Sequence, residues 1–422
     1  MMKMKIILAV LWVALITGCQ TRRGEDFVWD NLGTDETAQV GLTRPVRAVM
    51  LLPLTGKSAA AGQAFRNGGI MALQEHPDSP LRLLFFDTQG TADGTRTAWQ
   101  EAKHLNPDVI IGPVFASSVT ALKNESPRAP VISFTTDHTV LETDIYTMGI
   151  LIPNQVDRLV QYMCEAGHKN IAVMGPEDKT GELTMNALMR TVKRCPGMQV
   201  NKISLYAPDT VNFNPAVLKI VPKPVNPKKK DLTEEEKIIL ATPIQERLDF
   251  DALFLFDDGV RLQQVASLLS YYDLTPKVIP FYGLANWQTV KDKSMENGIF
   301  VSTPTTRVRR FSVRYNALFG AQPPRIASLA YDTVSLMAVL AEKQALTTGN
   351  LEQEQGFNGV NGRFRFHRNG TNERLLEIFR FPRNMRPETI EPAPATFPDP
   401  DTLFVTPEPD IQETGNPLFP GE

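Results

Sequence analysis

The strongest constraint in this chain is a regular alternation, beginning at Val46, of short wholly apolar segments with segments patterned as helices. VRAVMLLPL is followed by residues 58–75, apolar at helical spacing with Gly68 and Gly69 inside, and then by LRLLFFD. A helix over 95–104, the strand DVIIGP, a short helix over 116–123 and the strand PVISF complete a first set. After YTMGI the pattern restarts: a helix over 155–166, NIAVMGP, a helix over 182–194, VNKISLY, FDALFLFDD, a helix over 261–271, KVIPFYG and GIFVSTP. Strands made of nearly continuous Val, Ile, Leu and Phe, with helices on either side, belong to mostly parallel sheets covered on both faces. The expected fold class is α/β, with two doubly wound, Rossmann-like lobes in series. SLAYDTVSLMAVLAEK reads as one amphipathic helix, and GRFRFHRNGTNERLLEIFRF as a hairpin turning at Asn369-Gly370. These are too few elements for a third core, so they are expected to cross back. That assigns 45–152 and 304–345 to lobe one, and 153–303 and 346–382 to lobe two.

The flanks follow other rules. Lys3 and Lys5 precede an apolar run from Ile6 to Ile16, the order of a secretory signal and too short for a membrane-spanning helix. The run ends in Leu15-Ile16-Thr17-Gly18-Cys19, which resembles the lipobox of bacterial lipoproteins. The resemblance implies that Cys19 is lipidated, and Gln20 in place of an aspartate implies an outer-membrane anchor facing the periplasm. Residues 19–44 lack periodicity and read as a tether. Residues 221–243 interrupt lobe two with prolines, the run Lys228-Lys229-Lys230, and a Thr233…Glu236 pair at capping-box spacing that would start a surface helix. After Phe381 there are ten prolines in forty-one residues, and from Pro387 onward eight acidic residues and no basic one, so 383–422 reads as an extended or disordered tail. In an oxidising compartment the two remaining cysteines, Cys164 and Cys195, either bridge or lie buried as thiols.

Composition excludes several functions. Forty-four basic against forty-seven acidic residues leave no positive excess for a phosphate backbone, so no nucleic-acid partner is expected. Three cysteines and five scattered histidines supply no four-ligand metal module. Thr55-Gly56-Lys57-Ser58 has the end of a phosphate-binding loop, but Leu51 stands where its first glycine belongs. There is no G-x-S-x-G and no H-E-x-x-H. Asp257-Asp258 follows an apolar strand and offers either a carboxylate pair or a cap for the next helix. No nucleophile, base and orienting group can be named together, so neither an enzyme nor a cofactor is expected. Ligands of open α/β sheets sit beyond the carboxyl ends of the strands. Those positions hold Thr55 and Gly56, Ser117 and Ser118, and Thr135 and Thr136, hydroxyls and backbone suited to a small polar ligand such as an amino acid.

Six ordered segments, LLPLTGKSAAAGQAFRNGGIMAL, FFDTQGTADGTRTAWQEA, VIIGPVFASSV, PVISFTT, ASLAYDTVSLMA and GVNGRFRFHRNG, resemble the type I periplasmic binding proteins of the leucine/isoleucine/valine-binding group. The resemblance implies two lobes joined by three crossovers at a hinge, closing on a ligand held by Ser117, Ser118, Thr135 and Thr136. It implies an acidic partner from lobe two, for which only Asp257 or Asp258 offers itself. FDALFLFDDGVRLQQVASLLSYYDL and IPFYG, with the lipobox and LLPLTG, are similar to the C-terminal domain of the LpoA-type lipoprotein activators of penicillin-binding proteins. That narrower resemblance implies a scaffold that docks on and stimulates a peptidoglycan synthase. The long helical-repeat domain of those activators has no counterpart in the short stretch after Cys19. The alternative is a receptor that carries an amino acid or similar solute to an ABC transporter.

Overall fold

The computed structural model describes residues 44–225 and 230–398. Cys19, the signal segment and nearly all of the tether lie outside the described residues. Lobe one runs β1 (Val46–Leu52), α1 (Ala59–Glu75), β2 (Leu81–Asp87), α2 (Ala92–Ala102), β3 (Val109–Ile111), α3 (Ala116–Lys123), β4 (Val131–Ser133) and β5 (Ile145–Thr147). Its sheet has the order β2-β1-β3-β4-β5, and all of its pairings are parallel. Lobe two runs α4 (Ile152–Glu165), β6 (Asn170–Pro176), α5 (Lys179–Val192), β7 (Gln199–Tyr206), α6 (Asn214–Ile220), α7 (Glu234–Ala241), β8 (Ala252–Leu255), α8 (Gly259–Tyr271), β9 (Phe281–Gly283) and β10 (Ile299–Ser302). The chain then makes α9 (Thr306–Phe319) and α10 (Ala327–Glu342), a small sheet of β11 (Phe357–Gly359), β12 (Gly362–Phe366) and β13 (Asn372–Arg374), and finally β14 (Glu377–Arg380) and β15 (Glu388–Glu391). The second sheet has the order β15-β14-β10-β9-β8-β6-β7.

The apolar runs are continuous because each strand feeds two cores. Ala48, Met50 and Leu52 of β1 face one cluster with α1 and α10, while Val49 and Leu51 face another with α2 and α3. In lobe two, Ala172 and Met174 of β6 pack with α6 and α8, and Ile171 and Val173 with α4 and α5. Side chains alternate across a strand, so a strand covered on both faces loses its polar half. This is the two-lobed α/β fold expected from the sequence.

Three features depart from the expectations. The segment read as an amphipathic helix, α10, is buried over fifteen consecutive residues, Ala327 to Ala341, because α1, the lobe-one sheet and the small sheet of β11–β13 all pack around it. The approach is close enough that a Cβ on Gly68 of α1 would stand 2.1 Å from the Ala327 carbonyl oxygen. Secondly, the stretch assigned to lobe two is divided. Phe357, Phe364 and Phe366 of the small sheet pack into the lobe-one core, with Phe366 5.4 Å from Tyr146, and only β14 joins the sheet of lobe two. The aromatic residues of a sheet of three short strands have no core of their own and take their cover from lobe one. Thirdly, the segment read as a disordered tail contributes β15, because β14 otherwise ends the sheet with unpaired backbone groups. In the insertion, Thr233 and Glu236 form the reciprocal capping box that begins α7.

The chain passes between the lobes after β5, after β10 and after β13, and these three crossovers make the hinge. Asn372 Nδ2 donates to the carbonyls of Thr147 (2.7 Å) and Gly149 (2.9 Å), tying the third crossover to the first. Arg374 is 2% exposed, donates to the Met148 carbonyl at 3.0 Å and stacks over Phe364 at 4.8 Å. Its countercharge is Asp332 of α10, 1% exposed, which accepts from the Val360 amide at 2.7 Å and from Asn361 Nδ2 at 3.3 Å.

Two outcomes follow. Burial raises the Asp332 carboxyl to about 6, against a smaller opposing effect of its hydrogen bonds and Arg374. A carboxyl whose pKa rises on folding favours the native state below the unfolded value near 4, and that contribution is lost as pH rises through about 6. Denaturation midpoints should therefore show the stability of wild type relative to Asp332→Asn falling by about 3 kcal/mol between pH 4 and 7. Cys164, in the last turn of α4, and Cys195, after α5, form a disulfide with Cα atoms 6.0 Å apart that closes a separation of 31 residues. Replacing both with serine should cost roughly 3–4 kcal/mol of stability, a loss that reductant reproduces in the wild type.

Candidate functional site

Parallel strands place all their carboxyl ends on one edge, and in each lobe that edge carries the loops that begin the next helices. In lobe one the loops after β1 and β2 are organised by Asp87, the last residue of β2. It accepts from the amides of Leu54 (2.8 Å), Thr55 (3.1 Å) and Gln89 (2.8 Å) and from the Thr55 hydroxyl. Burial works to raise this carboxyl, and the four hydrogen bonds outweigh it and hold the group below the ordinary aspartate value. The Thr55 hydroxyl is thereby committed to the scaffold. Gly56 has φ +79°, and a Cβ there would stand 3.1 Å from the Gln89 carbonyl oxygen, so the position is fixed by the turn.

The other lobe-one candidates divide in the same way. Ser118 is buried, and its hydroxyl donates to the Thr91 carbonyl at 3.3 Å, joining α3 to the start of α2. Thr135 is buried; its hydroxyl accepts from the Asp137 amide at 3.1 Å and its carbonyl accepts from the Thr147 hydroxyl at 2.6 Å. Ser117 and Thr136 are exposed. Ser117 lies in the first turn of α3, which begins after Phe115 with no side-chain cap. Backbone amides at such a start carry partial positive charge and favour an anionic group.

In lobe two, Asp257 and Asp258 take different roles. Asp257 is 5% exposed; its Oδ2 accepts from the Tyr206 hydroxyl at 2.6 Å and pairs with Arg261 Nε at 3.3 Å, while Oδ1 accepts from the Asp258 amide at 2.8 Å. Arg261 also lies over the Tyr206 ring at 5.5 Å. Burial first, and the Asp257 carboxylate second, raise the Tyr206 phenol well above its ordinary value. Asp258 stands at the N-cap of α8 with an exposed side chain that makes no capping bond. The two carboxylates are thus not a pair acting together: one is consumed by a buried network and the other faces solvent.

Several residues that the sequence did not single out connect the lobes. Asp137, two positions beyond Thr135, is lowered below the ordinary value by the Thr139 bonds and by the charges of Lys179 and His138, against the opposing and larger single effect of burial. Lys179 is the first residue of α5 in lobe two, near enough for its charge to act on the Asp137 carboxyl. Arg325, before α10, reaches from lobe one to donate to the Ala285 carbonyl of lobe two at 3.4 Å, and within lobe two Gln155 of α4 accepts from the Ala285 amide at 3.0 Å. None of these belongs to a local motif; each acquires its partner only when distant segments meet. Among the described residues no group of His, Cys, Asp and Glu could hold a metal ion, and no helix is long and apolar enough to cross a membrane.

Two doubly wound lobes, three crossovers and polar strand ends on each lobe define a two-lobed binding protein of the α/β class. The sequence profile of the periplasmic binding protein family matches residues 45–383, and the chain belongs to that family. Its place is accordingly the periplasmic compartment of the cell envelope. No curated protein is a significant match by sequence. Among solved structures, a branched-chain amino acid ABC transporter protein from Rhodospirillum rubrum is 17% identical with a TM-score of 0.66, covering 82% of this chain and 99% of that one. The isoleucine complex of the branched-chain amino acid binding protein LivJ from Streptococcus pneumoniae is 14% identical with a TM-score of 0.56, covering 83% and 100%. A solute-binding protein from Rhodopseudomonas palustris with 3,4-dihydroxybenzoic acid is 14% identical with a TM-score of 0.58, covering 82% and 96%. These likenesses are at the level of the type I fold.

The unequal roles of the adjacent aspartates have a direct test. Asp257→Ala strands the Arg261 guanidinium and the Tyr206 hydroxyl and should lower stability by roughly 2–3 kcal/mol in denaturant titrations. Asp258→Ala removes no capping bond and should stay within about 0.5 kcal/mol of wild type.

Proposed function

We propose that this protein is a non-enzymatic solute receptor whose lobes close on a small carboxylate-bearing molecule, an amino acid or a similar organic acid, for delivery to an ABC transporter. The observation that carries this reading is the arrangement at α3: an uncapped helix start with Ser117 exposed in its first turn, at the strand ends of a family fold built to enclose solutes. Thr136, exposed after β4, offers a second hydroxyl, and Asp258 an acidic group suited to an α-ammonium. The buried hydroxyls of Ser118 and Thr135 position these groups, since their own hydrogen bonds are already made within the lobe.

The test is titration calorimetry against branched-chain amino acids, other amino acids and hydroxylated aromatic acids. One class should bind with micromolar or tighter affinity, and Ser117→Ala should weaken it about tenfold, the effect of one lost hydrogen bond to a charged group. No heat with any member of the panel overturns the reading.

A second reading is favoured by a specific feature of the sequence, the similarity of FDALFLFDDGVRLQQVASLLSYYDL and IPFYG to the activators of penicillin-binding proteins, together with the lipobox ending at Cys19. On that reading the lobes form a docking scaffold, anchored in the outer membrane, for a peptidoglycan synthase. A silent calorimetric panel combined with capture of a bifunctional glycosyltransferase/transpeptidase from detergent-extracted envelope would select it.

A further inference from the structure

The family match ends at residue 383, and the chain beyond it makes a connection that the three-crossover hinge does not include. On the lobe-two side β15 pairs with β14, Arg380 Nη2 bonds Glu388 at 2.6 Å, the Thr389 hydroxyl donates to Glu377 at 3.0 Å, and Arg158 of α4 pairs with Glu391. The chain then returns to the small sheet packed on lobe one. Arg363 of β12 donates to the Ala395 carbonyl at 3.1 Å, and the Phe397 ring receives the guanidinium of Arg365 at 4.4 Å and that of Arg363 at 5.9 Å. The seat for Phe397 exists because residue 356 is glycine: a Cβ there would lie 2.8 Å from the ring.

We infer that residues 388–397 are a strap across the hinge, a fourth crossover that clamps lobe two to the small sheet of lobe one and limits how far the cleft opens. The link between its two anchored ends is short. From Glu391 to Ala395 the backbone reaches at most about 14 Å, and Pro392 and Pro394, with φ fixed by their rings, favour extended conformations along it. Lobe separation on this side therefore requires β15 to leave its sheet or Phe397 to leave its seat. Loss of two cation–π contacts would favour the released state on the order of tenfold. The inference rests on the proposed reading only in taking the lobes to move.

The test places spin labels on exposed Glu101 of lobe one and exposed Lys219 of lobe two in the full chain and measures their distance distribution with no solute added. Phe397→Ala should broaden the distribution toward longer distances, and a chain ended after Arg386 should broaden it further. Unchanged distributions in both folded variants overturn the strap whatever calorimetry shows. A silent calorimetric panel with a broadened distribution would overturn the solute reading and leave the strap standing. Should a variant fail to fold, amide exchange in the wild type decides: residues 388–391 should exchange as slowly as β14, and fast exchange there overturns the proposal.

Discussion

Lobe one cannot close its own core. One face of its parallel sheet is covered by α2 and α3, which follow their strands directly, but the other face is completed by α10, which the chain makes only after building most of lobe two. Left to α1 alone, that face would expose part of the row Ala48, Met50 and Leu52, which hydrophobic burial disfavours strongly. The chain is therefore obliged to return, and the return makes a hinge. It must then leave again to supply β14 to the second sheet, which adds the third crossover. The two-lobed form and the hinge both trace to this one requirement for cover.

The hinge that results is polar at its centre. Asn372, Arg374 and Asp332 hold the crossing segments through buried hydrogen bonds and one pair of opposite charges, in a region where apolar packing alone would leave backbone carbonyls such as Met148 and Thr147 unsatisfied. Arg374 shows the cost of that solution. Burial lowers its guanidinium to about 10, with Asp332 opposing, and its Nε and Nη1 make no hydrogen bond among the described residues. A buried pair of this kind is weak evidence for stability, and its value lies more in fixing which segments meet.

The sheets were legible from the sequence because their signal is local. VRAVMLL and NIAVMGP are strands in both readings, as are the helices that follow them, since a run buried on two faces leaves few alternatives. Elements whose signal is not local were missed or misassigned. Nothing within IYT separates β5 from a loop, and its pairing with β4 supplies its identity. The aromatic strand GRFRF is a hairpin by its own pattern, but which lobe covers it depends on Tyr146, more than two hundred positions earlier. β15 lies in a proline-rich acidic stretch and is a strand only because β14 offers it an edge.

The strand-end residues show the same division on a smaller scale. Residue type and position mark Thr55, Ser118, Thr135 and Asp257 as ligand groups, yet each is engaged within its own lobe, by Asp87, Thr91, Asp137 and Tyr206 respectively. A hydroxyl at a strand end is read identically whether it will meet a ligand or a neighbouring loop; the difference is set by whether a partner comes within about 3 Å, which only the folded chain decides. The exposed hydroxyls and acid with no such partner among the described residues, Ser117, Thr136 and Asp258, are fewer and follow different strands.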